Sequence, residues 1–492
     1  MINFHSNKKD FFDTLCLPFW KDDASLEAFD SHFITDEVKA VLESGDFKGE
    51  SQQLVVLYPS NKKPLRLILL GLGSLKNKTS ESLRRQASSL IKFCKEKKIE
   101  SITLVGSKTL TDEDQKSFIE GLLLSNYAFD INKKDKTTLL KKIGLINFDK
   151  SFESAFKEIE IVVEGVFLAR DLTSGNADDV TPKYLAQVAK NIANDFKKTI
   201  SVKILGPKEI KKEGLGLLEA VSRGSTNDPA LIIAQYRGNK KSDEHLVLIG
   251  KGLTYDTGGL FIKPRGSMDD MRCDMAGASV CLATLLTVAK LKLEVNLSIV
   301  VAAAENSIGP DAFKPGDVYK SYQGKTVEIQ DTDAEGRLVL ADAITYAIKH
   351  LAPTSIIDFA TLTGAIMVAL GDEVAGFFSN DEKLSASLIK ASENTHEKLW
   401  RMPLHEDYKS QLKSDVADIK NKADRWGGAI FAALFLEDFV EKTPWAHLDI
   451  AGTAFYSKDK YYTPKNGTGF GVRLLIDYLK ENCHAAKRAK KK

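Results

Sequence analysis

The sequence predicts an α/β fold in two parts: a smaller N-terminal α/β domain, then a larger α/β domain with a central mixed sheet flanked by helices. Three observations predict it. Short apolar runs such as LRLILLGLG (65–73) and LVLIG (246–250) alternate with longer segments of helical spacing. At 492 residues the chain exceeds what one ordinary hydrophobic core serves. Residues that carry chemistry crowd into the second part alone.

Composition excludes several function classes. A formal net charge of +2 gives whole-molecule electrostatics no pull toward nucleic acid or a membrane surface. Cys16, Cys94, Cys273, Cys281 and Cys483 are scattered and form no CxxC pair, which points to free thiols in a reducing, cytoplasmic compartment. Lys8, Lys9 and Asp10 interrupt the place where a signal peptide needs an apolar run. No stretch reaches the roughly 18 apolar residues of a membrane helix.

In the first part, 54–59, 65–73 and 102–106 read as strands and 80–98 as a charged amphipathic helix, which suggests a mainly parallel sheet. Gly71 and Gly73 lack the third glycine of a nucleotide turn and read as a tight exit from a strand. Residues 131–155 are Lys-rich around a short apolar run, and 152–171 has the spacing of a connecting helix. The boundary is placed near residue 165, giving domains 1–165 (assembly or regulation) and 166–492 (catalysis).

In the second part Thr181 and Pro182 suit the N-cap and first position of a helix. Strands are expected at 201–206, 230–236, 246–250, 297–304, 327–330, 355–360 and 446–451, with a helix over 277–291. Lys251, Asp331, Thr361 and Gly452 each follow an apolar run, and ligand groups in open α/β sheets gather beyond strand carboxyl ends. The C-terminal run KRAKKK (487–492) reads as a solvated tail.

Two stretches hold the acidic residues. KGLTYDTGGLFIKPRGSMDDMRCD (251–274) contains Asp256, Asp269, Asp270 and Asp274, and DTDAEGR (331–337) contains Asp333 and Glu335. Neither has a histidine, which disfavours a single zinc of the HExxH type. Carboxylates of this kind suit two neighbouring divalent ions, and oxygen ligands admit Mn²⁺, Mg²⁺ or Zn²⁺. Gly258, Gly259 and Gly336 would let backbone pass close to ions or substrate. Plainer readings stand beside these: Asp269-Asp270 as a helix start, Lys251 as a loop lysine, Met268 as core filler, DTDAEGR as an acidic turn.

These stretches resemble the signatures of the leucyl aminopeptidase family, the dinuclear-metal cytosol aminopeptidases. DFATLTGA (358–365), RWGGAI (425–430), WAHLDIAGTAF (445–455), ARDLTSGNADDVTPKYLA (169–186) and PGDV (315–318) are also similar. The resemblance implies a metal-dependent aminopeptidase that removes leucine-like N-terminal residues from short peptides. It places Lys251, Asp256, Asp274, Asp333 and Glu335 on the metal ligands, two Mn²⁺ or Zn²⁺ per subunit, with Asp256 and Glu335 bridging. Lys263 falls on the catalytic lysine that holds the oxyanion, and Arg337 on the arginine that anchors a bicarbonate base. Thr361, Leu362 and Gly364 fall on substrate contacts, with Met268 and Ala451 lining the pocket for the first side chain. It further implies a homohexamer, a dimer of trimers. Two departures stand out: Asp331 where the family usually has Asn, and TSGNADDV (173–180) in place of an Asn-Pro-rich segment.

Two other readings are weighed. A nucleic-acid-binding or regulatory protein on this fold would use the Lys-rich 131–142 region and the basic tail, yet leaves the filled ligand set without purpose. A two-metal phosphoesterase would use carboxylate pairs but not the lysine ligand.

Overall fold

The computed structural model describes residues 2–4, 11–22, 26–30, 33–60, 64–148 and 153–489, and their side chains except at 2–4, 26 and 482–489. The expectations for Lys8–Asp10 and for the end of the basic tail lie outside the described residues, as does the side chain of Cys483. The chain divides into two compact units, residues 1–163 with 458–465 and residues 164–457 with 466–492.

The first unit is built on β1 (Ile2–Phe4), β2 (Thr14–Phe19), β3 (Leu54–Leu57), β4 (Arg66–Gly71), β5 (Ser101–Val105) and β6 (Lys142–Ile146). They lie in the order β1-β6-β5-β2-β4-β3, parallel except for the β3–β4 pair. Helix Ser80–Glu96 is closed by a Thr79 capping box and buries Leu83, Ala87, Leu90, Ile91 and Cys94, all on one face. Three strands, β1, β2 and β6, lie outside the expected 54–59, 65–73 and 102–106. β6 lies inside the Lys-rich stretch, its lysines flanking four buried residues. β2 is buried at all six positions, so it shows none of the alternation that marks a half-exposed strand.

The second unit contains β7 (Ile200–Leu205), β8 (Ala230–Arg237), β9 (Leu246–Asp256), β10 (Asn296–Asn306), β11 (Val318–Lys320), β12 (Thr326–Glu328), β13 (Ser355–Ala360), β14 (Ala375–Ser379), β15 (Leu399–Arg401), β16 (Ile419–Lys420) and β17 (Trp445–Asp449). Its main sheet runs β15-β14-β17-β13-β9-β10-β8-β7 and is mixed. The central β17, β13, β9 and β10 are parallel, while β14 and β8 run against their inner neighbours. β11, β12 and β16 form a small separate sheet. Thr181 caps helix Pro182–Asp195, its Oγ1 accepting from Tyr184 N, as the sequence suggested.

β9 runs six residues past the expected break at Gly250. Glycine in a strand marks close backbone approach, and here the neighbour is the helix Ala276–Leu291. A Cβ at Gly250 would lie 2.7 Å from Gly277 O, and one at Gly277 would lie 2.0 Å from Phe359 O. Helix and sheet therefore meet backbone to backbone, and Lys251 sits within the strand instead of after it. The helix itself begins at Ala276, after a 3₁₀ turn Met271–Cys273. Asp269 and Asp270 precede that turn and do not start the helix.

Candidate metal centre

The site forms where β9 ends, with the acidic turn before helix Gly336–Leu351 brought against it. Asp256 closes β9, Asp274 follows the 3₁₀ turn, and Glu335 immediately precedes the helix. Asp256, Asp333 and Glu335 present carboxylate oxygens within 4.8 Å of one another, a group that could hold a metal ion. Asp256, Asp274 and Glu335 are buried and Asp333 is partly open.

Two lysines interleave with these carboxylates. Lys251 Nζ lies 2.8 Å from Asp274 Oδ1 and 2.9 Å from Glu335 Oε1, and donates to Thr361 O at 3.1 Å. Lys263 Nζ lies 2.7 Å from Asp256 Oδ2 and 2.6 Å from Asp333 Oδ1. Burial works against both ammonium charges. The carboxylates outweigh it, so both lysines hold their protons above the ordinary lysine range. Burial pushes Asp274 up to about 6 and Glu335 up to about 8, and also raises Asp333.

Asp274 Oδ2 and Glu335 Oε2 are buried and have no hydrogen-bond partner. An acceptor without a donor is costly in the interior, and a cation would satisfy both. The grouped carboxylate oxygens fit divalent first-row ions. Asp269 and Asp270 take no part: both are exposed, and Asp270 lies 3.8 Å from Arg272.

The glycines make the room. Gly258 and Gly259 have φ of +86° and +64°, and a Cβ at Gly258 would lie 2.9 Å from Asp333 Oδ1. A Cβ at Gly336 would lie 2.6 Å from Lys251 Nζ.

Arg337, in the first turn of the helix, is buried. Its Nη1 donates to Asn421 O at 2.9 Å, and its Nε is buried without a partner. Burial lowers its pKa against the pull of Glu335, Asp331 and Asp449. Asp331 acts locally: Oδ1 accepts from Asp333 N at 2.9 Å, and Oδ2 pairs with Lys422 Nζ at 2.7 Å.

The remaining expected residues lie at the same end of the sheet. Thr361 Oγ1 donates to Asp274 Oδ1 at 2.7 Å. Leu362 and Ala451 are partly buried, and their N–H groups donate to Asp449 Oδ1 at 3.0 and 3.3 Å. Gly364 opens helix Gly364–Leu370, and a Cβ there would meet open space. Met268 is half-buried, its carbonyl accepting from Tyr255 OH.

The sequence reading missed Asn306 and Asp449. Asn306 Nδ2 donates to Asp256 Oδ1 at 2.8 Å and to Thr332 O at 2.9 Å, tying the two acidic stretches together. Asp449 holds Leu362, Thr363 and Ala451. Asn306 sits at the carboxyl end of an apolar strand, the position that drew attention to Lys251 and Thr361, and that signal could have found it.

Comparison with known proteins gives concordant matches. A model of the cytosol aminopeptidase family, catalytic domain, matches residues 167–476, and one of the same family's N-terminal domain matches residues 19–136. A probable cytosol aminopeptidase of Protochlamydia amoebophila is 46% identical over 98% of both chains. One from Chlamydia caviae is 43% identical over 98% of this chain and 99% of its own. Among solved structures, the bottromycin maturation enzyme BotP in complex with Mn has a TM-score of 0.85 at 30% identity, covering 96% of this chain and 99% of its own. A mutant of tomato leucine aminopeptidase also has a TM-score of 0.85, at 33% identity over 98% of this chain and 96% of its own.

Proposed function

The chain belongs to the cytosol aminopeptidase family, and on that premise we propose that it removes N-terminal residues, leucine and other apolar ones preferred, from short peptides. The observation that carries this reading is the group of buried Asp256 and Glu335 with the more open Asp333, flanked by Asp274 and two lysines, with carboxylate oxygens of Asp274 and Glu335 left without donors. Lys251, Asp256, Asp274, Asp333 and Glu335 would hold two divalent ions. The Mn in the BotP structure supports Mn²⁺, and the oxygen ligands admit Zn²⁺ equally. When bound, two such ions acidify a shared water and polarise a carbonyl oxygen.

The chain's own groups do the rest. Lys251 would be a ligand only as the neutral amine, its proton passing to solvent as cations replace it beside Asp274 and Glu335. Lys263 is held at the edge by Asp256 and Asp333, within reach of a carbonyl oxygen placed over that pair. There its ammonium would stabilise the oxyanion that forms during attack. Arg337 has an unpaired buried Nε, which suits a small oxyanion such as bicarbonate acting as proton acceptor. Thr361, Leu362 and Gly364 would align the peptide. Met268, Leu362 and Ala451 would give the first side chain an apolar surface, with the modest selectivity of such pockets, about 1–3 kcal/mol per methylene.

The assembly is proposed as a homohexamer, on family resemblance, with the N-terminal domain serving assembly or regulation. A cytoplasmic location is supported by the free, buried Cys16, Cys94, Cys273 and Cys281 and by the relatives' names. Among the described residues no helix is long and apolar enough to cross a membrane.

The test is hydrolysis of leucine p-nitroanilide by chelator-treated protein before and after Mn²⁺ or Zn²⁺ is restored, with N-acetyl-leucine p-nitroanilide as control. Metal-dependent release from the free amine alone is expected. Release from the blocked substrate, or none with either metal, would overturn the reading.

A further inference from the structure

Asn421 follows β16 and is completely buried. Its side chain bonds four backbone groups of the acidic turn. Oδ1 accepts from Gln330 N at 2.9 Å and Asp331 N at 3.2 Å; Nδ2 donates to Asp331 O at 2.6 Å and Ala334 O at 3.4 Å. One amide thus uses both acceptor sites and both hydrogens. The backbone of Asn421 is engaged too: its N–H donates to Glu328 O at 3.1 Å, and its carbonyl takes Arg337 Nη1.

The turn needs such a brace. Between β12 and helix Gly336–Leu351 it has no ladder of its own. Within it Asp333 N donates to Asp331 Oδ1 and Ala334 N makes a 3.4 Å contact with Asp331 O; from outside, Thr332 is tied to Gly258 O, Phe261 N and Asn306 Nδ2, and none of these three reaches the Ala334 peptide. Asp333 and Glu335 flank Ala334, so a shift of that peptide moves both carboxylates. Groups that must share a cation tolerate displacements of only about 0.5 Å.

We propose that Asn421 is a positioning residue. It locks the turn that presents Asp333 and Glu335, seats the Arg337 guanidinium, and so sets the affinity for divalent ions while touching neither ion nor substrate. The inference rests on the metal-centre reading above.

A merely structural role would be to pin β16 to β12, and a neighbour isolates that role. Asp418 Oδ2 accepts from Thr326 N and Oγ1, both at 2.8 Å, tying the same two strands without touching residues 330–337. The experiment is equilibrium Mn²⁺ binding to chelator-treated full-length protein, followed by the EPR signal of free Mn²⁺. It compares the parent with Asn421→Ala, Asn421→Asp and Asp418→Ala, with Tm recorded for each.

Both Asn421 variants are expected to weaken Mn²⁺ binding about 10–100-fold, and Asp418→Ala to lower Tm with affinity within about twofold of the parent. Asn421→Asp keeps the shape and the acceptor, and carries the test where the alanine variant does not fold. Affinity within about twofold of the parent in the Asn421 variants, or an equal loss in Asp418→Ala, would overturn the proposal. A parent that binds no Mn²⁺ would overturn it together with the metal centre. A parent that binds Mn²⁺ but cleaves no peptide would sink the aminopeptidase reading and leave the Asn421 comparison to decide by itself.

Discussion

Lys422 Nζ pairs with Asp331 Oδ2 at 2.7 Å and lies 5.9 Å from the centre of the Phe261 ring. Asp331 is the residue at which this chain departs from the Asn usual in the sequences it resembles, and the lysine matches the added charge. The other oxygen still caps Asp333 N, as an Asn side chain would. Asp331→Asn should therefore cost less than about 1 kcal/mol and leave kcat nearly unchanged, because the lysine of the pair is half exposed to solvent. Asp331→Ala removes the cap as well and should cut kcat about tenfold or more, by loosening groups that hold the ions. Steady-state kinetics on the two variants checks both, and equal losses would contradict the account.

What the sequence makes legible here follows from physics that is local. Gly258, Gly259 and Gly336 stand out because only a missing Cβ fits, and the carboxylates stand out by crowding. Asn421 does not, since its partners are backbone groups about ninety residues away and a lone Asn carries no periodicity. β2 escaped because burial on both faces erases alternation, and β6 because lysines surround it. Gly250 and Gly252 read as a break that would put Lys251 after the strand, but they are a packing surface and Lys251 lies within β9.

Gly336→Ala places a methyl group 2.6 Å from Lys251 Nζ, a side chain already held by Asp274 and Glu335. The fold should tolerate it at a cost of about 1–3 kcal/mol, because the obstructing atom is a side-chain end and not backbone. Activity should fall by about 100-fold or more, since the displaced lysine is a proposed ligand. Thermal unfolding alongside kinetics separates the two effects; full activity would remove Lys251 from the centre.

Stability should depend on pH through the raised carboxyls. Folding lifts Asp274 from 3.8 to about 6 and Glu335 from 4.5 to about 8, chiefly by burial. A raised carboxyl favours the folded chain fully below its unfolded pKa, and that contribution is lost as pH rises through the folded value. Chelator-treated protein should thus lose stability between about pH 4 and 8, while saturating Mn²⁺, which binds the ionised forms, offsets the loss. The gap in Tm between loaded and stripped protein should widen with pH. A gap that narrows would show these groups do not bind the metal.

The most direct measurement is kcat for leucine p-nitroanilide in Mn²⁺-loaded Lys263→Ala protein, with bound metal counted in the same sample. The account predicts two ions per chain, as in the parent, and a kcat lower by about 10²–10³-fold, the usual cost of removing one oxyanion donor. Two bound ions with kcat within about threefold of the parent would show that Lys263 does not stabilise the oxyanion, and would contradict the account.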